Sequence, residues 1–211
     1  MWFVLEVRTM ASDKEFLDAK EIALKKLENA CDKDEVDEDI LQVLSLINSS
    51  NNYYTSSSCA GRIVLLEIPS IGDKKEAVFL GKWHRKIGSS ELISAAKNSS
   101  EKGMIWLLAQ APILHLGAKT TSAADELLKT AISCGFKDSG LKSLGKKIVV
   151  EICSTERLDA PIGKDGVLFC NDEHLKLLVD ISNEVIRKSS VKLEKFEEKL
   201  RKDLSSYKTT N

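Results

Sequence analysis

Residues Tyr53 to Ile63 read YYTSSSCAGRI. Four hydroxyl side chains, Thr55 to Ser58, run into Cys59, Ala60, Gly61 and Arg62, with an aromatic pair before them and the apolar run IVLLEI after them. The pattern predicts two strands, Tyr53 to Cys59 and Arg62 to Ile68, broken at Gly61. Consecutive hydroxyls beside a glycine offer donors, acceptors and free backbone N–H groups in a small concave space. Arg62 adds a fork of donors suited to a carboxylate or a phosphate. The same spacing also suits a Ser-rich turn ahead of a core strand.

Upstream the periodicity is helical. Ser12 with Glu15 three residues later forms a capping box, and Phe16, Ala19, Ala23, Leu27 and Ala30 recur on one face. A second helix carries Val36, Ile40, Val43, Leu44 and Ile47. The acidic run Asp32 to Asp39 lies at its start, where carboxylates favour the helix macrodipole, a simpler account than a metal site. Residues 1–11 read as an N-terminal extension, with Met10 as a candidate initiator. WFVLEV is short and lacks the basic lead of a signal peptide.

Downstream, a strand is expected from Glu76 to Trp83, a short helix from Ser90 to Lys97, and an apolar strand from Met104 to Ala111 that passes Pro112 into Ile113 to Leu116. Ser122 with Asp125 opens a helix that stops at Gly135. Phe136 to Leu144 then reads as a loop, Lys146 to Cys153 as a strand, Ser154 to Gly166 as a loop and Val167 to Cys170 as a short strand. Asn171 caps a long helix whose inner positions are Leu175, Leu178, Ser182, Val185, Ser189, Leu193, Phe196 and Leu200. Two serines weaken a dimer seam, so this helix is expected to pack on its own domain, in a monomer. The order predicts an α+β (irregular α/β) fold: a single domain over 12–204, with a mixed β-sheet covered by helices, a long C-terminal helix and a frayed tail at 205–211.

The formal net charge is −1, but it is divided. Residues 1–50 hold 6 basic and 12 acidic side chains, whereas residues 51–150 hold 14 and 8. A basic centre containing the hydroxyl stretch suits an RNA substrate, although ordinary surface lysines give the same count. No apolar run reaches the length of a membrane span. The five cysteines, Cys31, Cys59, Cys134, Cys153 and Cys170, show no CxxC or other ligand spacing, so reduced thiols of a cytoplasmic protein are the simplest reading, with no metal site.

Trp83, His84 and Arg85 follow a predicted strand, an arrangement that suits base stacking and phosphate contact as well as a Trp capping the core. His115 stands among apolar neighbours, either as a satisfied core histidine or as a base. GLKSLGKK at Gly140 to Lys147 resembles a P-loop only superficially, because Lys147 stands where a magnesium-binding hydroxyl belongs and a strand follows. Ser139 to Lys142 matches SxxK, with no partner motif for a serine hydrolase.

Five segments together resemble one family. TSSSCAGRI, GKWHR at Gly81 to Arg85, APILHL at Ala111 to Leu116, GFKDSGL at Gly135 to Leu141 and VEICSTERLDAPIG at Val150 to Gly163 are similar, in order, to the tRNA wybutosine-synthesizing protein 3 family. The resemblance spans about Val36 to Val185 and implies methyl transfer from S-adenosylmethionine to nitrogen 4 of a tricyclic guanosine derivative beside the anticodon of tRNA(Phe). It implies Ser57, Ser58, Gly61, Ser139, Gly140 and Glu151 for the cofactor, Trp83 and Arg85 for the substrate, and His84, His115 and Arg62 for the chemistry. No GxGxxG loop follows a first strand, so an ordinary Rossmann cofactor site is not visible. A non-catalytic tRNA-binding module and a hydrolase using Cys59 are the competing readings.

Overall fold

The computed structural model describes residues 13–73, 75–100 and 102–208; the Ser12 capping box and the N-terminal extension lie outside them. The elements run α1 (Asp13–Cys31), α2 (Glu38–Ser49), β1 (Tyr53–Cys59), β2 (Arg62–Ile68), β3 (Val78–Trp83), α3 (Ser89–Ala96), β4 (Met104–Gln110), β5 (Ile113–Ala118), α4 (Thr121–Ser133), β6 (Gly140–Leu144), β7 (Ile148–Cys153), β8 (Arg157–Lys164), β9 (Val167–Leu168) and α5 (Asp172–Lys208). The α+β class and the long C-terminal helix are as the sequence predicts. That helix runs to Lys208, into the segment read as a tail. No described helix is long and apolar enough to cross a membrane.

The strands form two sheets where one mixed sheet is expected, in the orders β1-β5-β7-β6 and β3-β2-β4-β8-β9. Local pattern marks β1 and β2 as consecutive strands, but partner choice is a long-range matter, and the two join different sheets. Each sheet belongs to one of two compact units. The first holds the chain up to Ser58, Ile113–Cys153 and the chain from Glu194; the second holds Cys59–Pro112 and Ser154–Leu193.

In the first unit, β7 alternates strictly: Ile148, Val150 and Ile152 are buried, which leaves Glu151 on the less enclosed face. β5 repeats this with Leu114 and Leu116 buried and His115 between them. Phe16 of α1 meets Tyr54 edge-on, with ring centroids 5.4 Å apart, and the Tyr54 ring lies over Gly117 so closely that a Cβ there would stand 2.1 Å from it. Phe136 meets Phe196 of α5 at 5.7 Å. α4 starts earlier than the Ser122 reading: the cap is Thr120, whose hydroxyl accepts the Ala123 N–H at 3.1 Å from an extended backbone, while Ser122 already lies in the first turn.

The second unit packs Ile63, Leu65, Ile105, Leu107 and Ile162 against Leu92 of α3 and Leu175, Leu178 and Val179 of α5. Asn171 Oδ1 accepts the His174 N–H at 2.9 Å, the cap read from the sequence. The inward serine Ser182 returns its hydroxyl to the Leu178 carbonyl at 2.8 Å; in the C-terminal part of the helix Ser189 does the same to Val185 at 2.7 Å. A polar residue can thus occupy a packing face without an unmatched donor.

Two strands appear where loops are expected. β6 is an edge strand with Leu141 to Leu144 exposed, so it carries no alternation to read. β8 contains Pro161, opposite Trp106 beside a bulge, at a point where the outer strand β9, paired only at Gly163 and Lys164, has not begun. The missing N–H of the proline leaves no outer ladder bond unmade there.

Candidate active site

A row of polar side chains crosses the first unit's sheet. His115 on β5 and Glu151 on β7 are directly paired residues, and so are Glu151 and Gly140 on β6. Side chains directly opposite across two strands lie close enough to interact. His115 Nε2 is 2.7 Å from Glu151 Oε2, and its Nδ1 is 2.8 Å from the Ser57 hydroxyl at the exposed part of β1. Lys142 closes the row, with its ammonium 3.1 Å from Glu151 Oε1 and 3.0 Å from Oε2. The His115 and Glu151 side chains are 29% and 26% exposed, so the row is open to a ligand yet partly shielded from water.

The Lys142 hydrogen bond, aided by that of His115 and opposed by partial burial, holds Glu151 below the usual carboxylate range. An ionised Glu151 requires a proton on Nε2. In the neutral imidazole, Nδ1 is then the acceptor for the Ser57 O–H. Ser57, His115 and Glu151 thereby form a directed chain: hydroxyl to ring, ring to carboxylate.

The hydroxyls around Ser57 are individually placed. Thr55 is bonded to Asn48: its backbone N–H donates to Oδ1 and its hydroxyl accepts from Nδ2, both at 2.9 Å. Ser56 donates to the His115 carbonyl at 3.0 Å. The Ser58 hydroxyl is shut off from solvent with no hydrogen-bond partner among the described residues. Such a group costs about 1–3 kcal/mol unless a ligand or water satisfies it. Ser139 is tied into its own loop, donating to the Phe136 carbonyl at 2.8 Å and accepting the Cys153 N–H at 3.1 Å. A Cβ added at Gly140 would have nothing within 4 Å, so space lies open beside Glu151.

The other sequence-predicted residues belong to the second unit. Gly61 has φ +100° and a Cβ there would stand 2.9 Å from the Gln110 carbonyl oxygen, so both backbone and space require glycine. Arg62 Nε donates to Gln110 Oε1 at 2.9 Å. The Trp83 ring folds back over Gly81 and packs on the core. His84 is half-buried. Arg85 pairs with Glu91 at 2.7 Å, and Glu91 also accepts the Gly88 N–H at the start of α3. Asn183 clamps Ile87 just beyond, bonding its N–H and its carbonyl, both at 2.9 Å.

Lys142 is the site residue that sequence reasoning missed. Its one signal was the SxxK match at Ser139, set aside because no partner motif for a serine hydrolase accompanies it.

An α+β chain whose sheet carries a hydroxyl, an oriented imidazole and a carboxylate in series has the parts of an enzyme that moves a proton. Comparison with known proteins makes this specific. The family model described as Methyltransferase TYW3 matches residues 18–202. A protein of Thermococcus sibiricus named tRNA(Phe) 7-((3-amino-3-carboxypropyl)-4-demethylwyosine(37)-N(4))-methyltransferase is 45% identical over 90% of this chain and 96% of its own. A Pyrococcus horikoshii protein of the same name, numbered 1, is 46% identical over 90% and 97%. A solved Pyrococcus horikoshii structure, 46% identical, superposes with a TM-score of 0.86 over 90% of this chain and 98% of that one. The chain belongs to the TYW3 methyltransferase family, as its motifs indicate.

Proposed function

We propose that this chain methylates nitrogen 4 of the 7-(3-amino-3-carboxypropyl)-4-demethylwyosine base of tRNA(Phe), using S-adenosylmethionine, as a monomer in the cytoplasm. The observation that carries the reading is the likeness, over nine-tenths of the chain, to proteins named for that reaction. The second compact unit's Arg62, Trp83, His84 and Arg85 are proposed to serve the tRNA. A non-catalytic tRNA-binding module would need none of the Ser57–His115–Glu151 ordering.

The donor set suits a polar cofactor: the unpartnered Ser58 hydroxyl, the Ser57 hydroxyl and the open space at Gly140 would hold it. Bound S-adenosylmethionine supplies a methyl group on a sulfonium. The chain's own part is proximity and proton transfer. A ring nitrogen that gains a methyl group must lose its proton. In this reading, Ser57 Oγ takes that proton as its own passes to His115 Nδ1, and Glu151 stabilises the imidazolium through Nε2. Lys142 extends the ionised range of Glu151 to lower pH, and over that range the ring stays in the tautomer that accepts at Nδ1. The positions read for the cofactor thus divide: Ser57, Ser58 and Gly140 face it, Glu151 acts on His115, and Ser139 and Gly61 hold backbone.

The test is methyl incorporation from labelled S-adenosylmethionine into tRNA(Phe) bearing the 4-demethyl tricyclic base, with unmodified tRNA as control. Incorporation into the modified tRNA alone is the expected result. Binding of the tRNA without incorporation would transfer the assignment to the binding module.

A further inference from the structure

Beside the Ser57 row, the first unit contains a cavity of about 240 Å³ bounded by α1, the turn into α2, α2 itself and the hydroxyls of β1. Its walls are of three kinds. Leu27 and Leu44 are apolar, Thr55 to Ser58 supply hydroxyls, and Lys26 and Glu35 bring one charge of each sign. Of the four hydroxyls, three are bonded within the unit, and Ser58 alone has no partner among the described residues. Lys26 and Glu35 are exposed and make no ion pair among the described residues, although neighbouring Lys25 is held by Glu21 at 2.7 Å.

We infer that this cavity recognises an α-amino-acid head group, with Lys26 on its carboxylate, Glu35 on its ammonium, the leucines against the methylenes and the Ser58 hydroxyl, closed to solvent in the free protein, turning to donate to a carboxylate oxygen. Size, charge and polarity agree on this. Sites that enclose a whole drug-sized ligand begin at about 300 Å³, so this cavity takes part of one. A phosphate would meet Glu35 as a repulsive neighbour, and an apolar group would leave Ser58 unmatched. A group bearing both charges on a short apolar stem satisfies all three walls. Ser57, which also lines the cavity, carries the bond to His115, so the stem would lead toward the proton-transfer row.

The inference deepens the proposed function and rests on it. Two molecules of that reaction carry the same 3-amino-3-carboxypropyl chemistry: the methionine portion of the cofactor and the side chain of the tricyclic base. Two binding measurements separate them without turnover. Calorimetry with S-adenosylhomocysteine reads the first, and filter binding of tRNA(Phe) with and without the amino-carboxypropyl group reads the second. Lys26→Ala and Glu35→Gln are expected each to weaken one of these by about fivefold, since both charges share water. Lys26→Arg is expected to retain affinity.

Weaker S-adenosylhomocysteine binding assigns the cavity to the cofactor. A loss confined to the group-bearing tRNA assigns it to the substrate. Variants that bind both probes like wild type would overturn the inference and leave the methyltransferase reading intact. A wild-type protein that binds neither probe would overturn both.

Discussion

The two compact units treat their candidate site residues in opposite ways. In the first, Ser57, His115, Glu151 and Lys142 are bonded to one another, and each bond orients the next group. In the second, each residue is anchored locally: Arg62 on Gln110, Trp83 over Gly81, Arg85 on Glu91. In the proposed reading a chain of mutual bonds across four strands serves proton transfer, because each bond orients the group that follows it. In the same reading the separate anchors of the second unit leave its members to act one by one. Substitutions in the first unit should therefore be strongly non-additive, and those in the second close to additive.

The largest effect belongs to the middle of the row. His115→Ala should lower kcat about 10³-fold with little change in the KM for tRNA, measured by methyl incorporation under saturating cofactor. Ser57→Ala combined with it should cost no more than His115→Ala alone. Additive losses would break the row into independent residues.

Next comes the orienting end. Glu151→Gln keeps the shape but removes the charge that requires a proton on Nε2, and kcat should fall about 10²-fold. Lys142→Met should cost about tenfold and shift the acid limb of the pH profile upward. The sign follows from the depressed Glu151 pKa: the carboxylate is charged above its folded value and is lost as pH falls through it, so removing Lys142 brings that loss to higher pH. An unchanged acid limb would detach Lys142 from the chemistry.

How much of this was legible in the chain follows from range. The inner face of α5 and its Asn171 cap are local patterns, and both are as read: Leu175, Leu178, Val185, Leu193, Phe196 and Leu200 are buried. Ser57, His115 and Glu151 could each be named from sequence. Their assembly depends on the β5–β7 register, which sets His115 opposite Glu151 across 36 residues and is written in no local motif. Lys142 stayed hidden because an exposed edge strand carries no alternation. The Lys26–Glu35 cavity drew no attention because, from sequence, both belong to ordinary solvated helix and turn surfaces.

For the second unit, the largest expected effect is on stability. Gly61→Ala sets a Cβ at φ +100° against the Gln110 carbonyl and should cost about 2 kcal/mol, a fall of roughly 4–8 °C in Tm. Denaturation with and without S-adenosylhomocysteine checks it. A smaller effect comes from Glu156, which partial burial would raise but which hydrogen bonds from Lys192 and Ser154 lower to about 2. Its ordinary value is 4.5, so its stabilisation is full above 4.5, declines as pH falls toward 2 and is absent below. Lys192→Met should cost about 2 kcal/mol at neutral pH, and urea midpoints of the two proteins should converge on acidification. A constant gap down to pH 2 would mean that Lys192 acts by packing alone.

The smallest effect is the one that decides what the second unit's surface does. Arg85 is 62% exposed and its pair with Glu91 is 38% exposed on the acid side, so the pair itself contributes little to stability. If Arg85 only steadies the start of α3, through the carboxylate that accepts the Gly88 N–H, Arg85→Ala should shift Tm by a degree or two and leave tRNA binding alone. If Arg85 meets the tRNA backbone, Tm should hold, affinity should fall about threefold, and the slope of log K against log salt should lessen by about one counterion. The second pattern is expected, because the Asn183 clamp on Ile87 and the Gly88–Glu91 bond already fix this segment without the guanidinium. A measured salt slope equal to that of the wild-type protein would return Arg85 to its local anchor and leave the phosphates to other lysines and arginines of the basic central segment.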